Sequence, residues 1–90
     1  MVLFDAGRAE EAAELLEEAV ASHERNGRDT ETHAQALRNL AHVLSHLGHH
    51  EEARARAVRS LELYTELFAA DDVDVALARR TLAELEARAR

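Results

Sequence analysis

Ninety residues with no Pro, no Cys and three Gly allow one small domain, and the dominant Ala, Leu, Glu and Arg are all good helix formers, so the chain reads as all-α. A formal charge of −7, no Lys and only three Phe or Tyr residues leave neither phosphate-neutralising charge nor stacking platforms, which excludes nucleic acid as a partner. The lack of Cys removes disulfides, thiolate nucleophiles and Cys-based zinc sites, and nothing approaches the ~18 apolar residues of a membrane span. With no signal-peptide layout at the N-terminus, the expected location is cytoplasmic.

The charge is uneven. Residues 1–31 carry nine carboxylates and three Arg, residues 32–70 four of each, and residues 71–90 five carboxylates and four Arg. In chain order, Met1 to Ala6 is a short apolar lead-in, with Val2, Leu3 and Phe4 resembling the last turn of a helix. Gly7 is expected to punctuate. A first helix then runs from Arg8 to about Asn26, its apolar face made of Ala9, Ala12, Ala13, Leu16, Ala19, Val20 and His23, with Leu15 at the edge. Glu10, Glu11, Glu14, Glu17 and Glu18 cover the rest as a solvated face, with a basic partner surface as the lesser reading.

Gly27 stops that helix, and Asp29 or Thr30 is the expected N-cap of a second one, from about Thr30 to Leu47. Leu37, Leu40, Ala41, Leu44 and Leu47 recur at three- and four-residue steps and share one face. Gly48 suits the left-handed C′ position, and Glu51 and Glu52 suit the positive end of the next helix. That third helix, about His50 to Ala69, carries Ala53, Ala57, Leu61, Tyr64 and Phe68 on one side. Asp71 or Asp72 should cap a fourth, from Val73 onward, with Val75, Ala78, Leu82 and Leu85 as its stripe and a fraying end from Glu86 to Arg90.

The chain repeats itself. Gly7-Arg8-Ala9-Glu10-Glu11-Ala12 matches Gly48-His49-His50-Glu51-Glu52-Ala53 at an offset of 41, and Ala34, Leu40 and Ala41 recur at an offset of 42 as Ala76, Leu82 and Ala83. The single domain spanning 1–90 therefore divides into a half repeat over 1–29, a full repeat over 30–70 and a half repeat over 71–90. The pattern carried by Asn39, Leu40, Ala41, Leu44, Leu47, Gly48, Glu52, Ala53, Ser60 and Leu61, echoed by Gly7, Glu11, Ala12, Leu16, Ala19 and Val20, resembles the tetratricopeptide repeat. The spacing exceeds that family's usual ~34 residues and is similar to the roughly 42-residue variety of kinesin light chains and bacterial multidomain regulators. The large aromatics common in the family are replaced, as at Leu44 and Ala57, and the closing Pro is absent.

The resemblance implies antiparallel helical hairpins of an α-solenoid and a protein–protein interaction module, with a partner segment in a concave groove between the second and fourth helices. It places Gln35, Arg38, Asn39, His42, Ser45 and His46 along that groove as polar contacts. Arg38 and Asn39 also echo part of the clamp by which some members hold a terminal carboxylate. Histidine is the one enriched reactive type, and His42 and His46, at i,i+4, with His49 or His50 beside them, form a candidate metal set against the exposed-contact reading. Arg54, Arg56 and Arg59 form a basic stripe that Glu51, Glu52 and Glu62 should neutralise. No phosphate loop, carboxylate pair or nucleophile motif supports an enzyme, and no cofactor is implied.

About two units leave apolar surface uncovered where repeat arrays usually stack three or more, so the chain is either a piece of a larger regulator with further repeats or covers its open face by self-association, the favoured expectation. Two rivals to groove recognition follow: a structural homodimer whose groove is filled by its twin, and a His-based metal or pH sensor, since protonating six His near pH ~6.5 would carry the charge from −7 to about −1.

Overall fold

The computed structural model describes residues 6–27, 31–69 and 71–88. Four helices follow one another: α1 (Ala6–Asn26), α2 (Glu31–His46), α3 (His50–Leu67) and α4 (Val73–Arg88). The all-α expectation holds, with boundaries within two or three residues of those read from the sequence. The lead-in Val2, Leu3 and Phe4 and the cap candidates Asp29 and Thr30 lie outside the described residues.

Two stop signals work as expected and one does not. Gly27 and Gly48 have φ of 65° and 87°, the left-handed region that an L side chain enters only with strain. At Gly48 the His49 N–H donates to the Leu44 carbonyl (2.9 Å) and the Gly48 N–H to the Ser45 carbonyl (3.1 Å), which is the paired bonding of a Schellman stop. Gly7, by contrast, lies inside the first turn of α1. A lone Gly weakens a helix without ending it unless the backbone beyond it turns left-handed. At the head of α4 the Asp72 carboxylate accepts from the Asp74 N–H (2.8 Å), so Asp72 is the cap.

The helices pack in chain order, α1 on α2, α2 on α3 and α3 on α4, and α2 also reaches α4. Nine of the 16 residues of α2 are buried, so this helix is enclosed nearly all round. Among the described residues eight of the seventeen buried apolar ones are Ala, which lets helix backbones approach closely. Ala53, Ala57, Ser60 and Tyr64 form the face that α3 lays on α2, each at most 2% exposed. Within that contact the Ser60 hydroxyl donates to the Ala34 carbonyl across the interface (2.8 Å). Leu63, outside the stripe expected for α3, is fully buried as well, while Leu61 and Phe68 are only partly so.

A Cβ built on Gly48 meets nothing within 4 Å, so any cost of adding one there is conformational and not steric. Gly48→Ala should therefore lower stability by about 1–2 kcal/mol in urea unfolding, whereas D-alanine at the same position, introduced by chemical synthesis, should cost nothing.

Candidate functional site

A groove of about 710 Å³ opens along α2. Its floor is Ala12 and Leu16 of α1 with Val43 of α2, and its rim is Asn39, His42 and His46 of α2 with Arg88 of α4. The residues come together because α2 runs between the other helices and turns its Asn39–His46 stretch, at i, i+3, i+4 and i+7, toward the open side. An apolar floor with a few polar groups at its edge is the usual make-up of a recognition site.

Of the six residues expected to line a groove, Asn39, His42 and His46 do so. Gln35 is exposed farther up α2, where its amide donates to Glu31 (3.4 Å). The guanidinium of Arg38 lies over the Tyr64 ring, 5.8 Å from its centroid, a cation–π contact that ties it to α3. Asn39, its neighbour in sequence, faces the groove instead, so the pair does not form one clamp. Ser45 corrects the expectation outright: it is 5% exposed, with no hydrogen-bond partner for its hydroxyl among the described residues. It stands four residues after Ala41 and next to Leu44, and so belongs to the buried side of α2.

Val43 and Arg88 were not expected. Val43 falls off the main apolar stripe yet is buried, and it lines the groove beside Ala12 and Leu16 of α1. Arg88 belongs to the stretch expected to fray, yet α4 continues through it. The composition of α4 offered no signal for this, since its last turn is polar.

The histidines divide. His23 and His33 stack across α1 and α2 with ring centroids 5.3 Å apart, and His33 is buried. Among the described residues no three His, Asp or Glu are gathered closely enough to hold a metal ion, so His42, His46 and His50 do not form the candidate ligand set. Burial, then the positive charges of Arg38 and Arg88, lower the pKa of His42 against the opposing pull of Glu84. Burial likewise raises the pKa of Tyr64.

The Arg stripe of α3 is neutralised, but mostly by other helices. Arg54 pairs with Glu86 of α4 (3.3 Å), Arg56 with Glu17 and Glu24 of α1 (3.8 and 4.0 Å), and Arg59 with Glu62 (3.8 Å). These pairs are exposed and contribute little each.

A His whose folded pKa lies below its unfolded 6.5 takes up its proton more readily when the chain unfolds, so acidification through and below that value destabilises the fold. His42→Gln should accordingly lose less stability than the parent chain between neutral pH and pH ~5.5, measured by urea midpoints at each pH.

Among the described residues no helix is long and apolar enough to cross a membrane. Searches of curated proteins and of solved structures gave no significant match. The family model described as tetratricopeptide repeat matches residues 1–66 and, in a second overlapping placement, 32–90. With four helices paired as the repeat requires and the whole length matched, the chain belongs to the tetratricopeptide repeat family.

Proposed function

We propose that the chain is a protein–protein interaction module that holds a segment of another protein in the groove along α2, and that it acts without catalysis or cofactor. The family supplies the general role, since its repeats are typically interaction modules. The observation that carries the finer reading is the groove itself, with Ala12, Leu16 and Val43 below and Asn39, His42, His46 and Arg88 around them. Apolar contact would supply affinity, and the rim would supply orientation. The 41- and 42-residue echoes support the long-period variety of the repeat and its division into half, full and half units.

Peptides selected from a displayed library against the chain test this. His42→Glu and His46→Glu should each weaken the selected binders by about tenfold, while Arg59→Glu on α3 should leave them unchanged. Binders indifferent to both groove substitutions would remove the reading.

Self-association is the second reading, favoured by Leu15 and Val73, each 67% exposed. Light scattering across a concentration series should then show a dimer that Leu15→Glu converts to monomer. A monomer at every concentration would end it.

A further inference from the structure

The internal repeat shows what kind of element fits the groove. Ala12, Leu16, Ala19 and His23 of α1 precede Ala53, Ala57, Ser60 and Tyr64 of α3 by 41 residues each. The α3 set is sealed by α2, whereas all four α1 residues are only partly buried. The other wall behaves alike. Asn39, His42 and Val43 of α2 precede Thr81, Glu84 and Leu85 of α4 by 42, and Thr81 and Leu85 are buried on α4, which packs on α3 and also reaches α2. The groove over α1 and α2 is thus the structural counterpart of the place that α2 occupies over α3 and α4.

We propose that the groove is a seat for an amphipathic α-helix from a partner protein, docked on α1 and α2 as α2 docks on α3 and α4. This rests on the groove reading above and specifies its ligand. The docking face should resemble the one formed by Ala34, Leu37, Ala41 and Leu44, with small and branched apolar residues at three- and four-residue steps. Among the positions that differ, Leu16 is the larger residue, standing where α3 has Ala57, so the partner needs a small side chain opposite it. Charge adds direction. Glu11 and Glu18 border the α1 wall, and His42, His46 and Arg88 border the other. A helix basic along its α1 side and acidic along the opposite edge is complementary to both.

The probe is a 16-residue peptide with the sequence of α2 itself, Glu31 to His46, titrated by fluorescence anisotropy into the 90-residue chain. Saturable binding with a gain of helical circular dichroism is expected. A peptide carrying Leu37→Asp and Leu44→Asp should not bind, and Leu16→Glu in the chain should weaken the parent peptide by about tenfold or more. Should Leu16→Glu fail to fold, a photoreactive group on the peptide decides instead, with crosslinks to Ala12 and Leu16 expected.

No binding at millimolar peptide, or binding without helicity, overturns the proposal. Crosslinks to Ala53 and Ala57 overturn it too, because they report exchange with the chain's own α2. So does a chain that self-associates through the groove, excludes the peptide and becomes monomeric on Leu16→Glu, since a second copy is then the occupant. The two readings fail separately: library binders that remain extended yet respond to His46→Glu keep the groove and remove the helix.

Discussion

The structure depends on the close approach of α2 and α3. Their contact is made of Ala53, Ala57 and Ser60 on one side and Ala34, Leu37, Ala41 and Leu44 on the other, all buried. Small residues bring the two backbones together, and only at such range does the Ser60 hydroxyl reach the Ala34 carbonyl at 2.8 Å. That carbonyl keeps its helical role and accepts a second bond, so the buried hydroxyl is satisfied without loosening α2. Each fully buried Leu contributes about 1.5–3 kcal/mol, but it does so only because the Ala residues set the spacing into which Leu37, Leu40 and Leu63 fit. The Schellman stop at Gly48 fixes the angle at which α3 returns, so hairpin geometry and core packing are one constraint.

Much of this was legible in the residues. Three- and four-residue apolar steps located all four helices, and the repeat at 41–42 residues located the hairpins. What escaped had physical causes. Gly7 and Gly48 occupy equivalent places in the repeat, yet only Gly48 takes positive φ, and a residue type does not reveal its φ. The family resemblance places Ser45 along the groove, yet it is buried. A short hydroxyl residue is small enough to be enclosed among Ala and Leu, and its place on the wheel decides. Val43 and Leu63 were missed because a single stripe describes a helix with one neighbour. α2 has three and α3 has two, and burial then extends round the cylinder. Of the six residues expected along a groove, Asn39, His42 and His46 line the cavity beside α1.

Electrostatics contributes more to arrangement than to stability. The carboxylates crowd onto α1, and two of them, Glu17 and Glu24, meet Arg56 of α3, a helix that α1 otherwise does not pack against. Arg54 performs the same service toward α4. Exposed at distances of 3.3–4.0 Å, such pairs add little energy, yet they bias which helix faces lie side by side. Along the groove the sign reverses: burial first, then Arg38 and Arg88, hold His42 toward its neutral form, so the rim presents hydrogen-bonding imidazole with cationic neighbours.

In this repeat fold the groove over α1 is built by the same means as the core. In the centre, the face of α3 with Ala53, Ala57 and Ser60 is closed by α2, and the gain is folding energy. One repeat earlier, the equivalent face of α1 with Ala12, Leu16 and Ala19 stays partly open, and whatever closes it gains the same kind of apolar burial as binding energy. The changes between the two faces follow that difference. Ser60, whose hydroxyl requires a carbonyl at fixed distance, is replaced by Ala19, which makes no such demand, and Tyr64 gives way to His23, which stacks on His33 and remains partly exposed. A surface free of obligatory polar partners tolerates being uncovered. It is also suited to a partner that comes and goes, because no buried donor is left unpaired when the partner leaves.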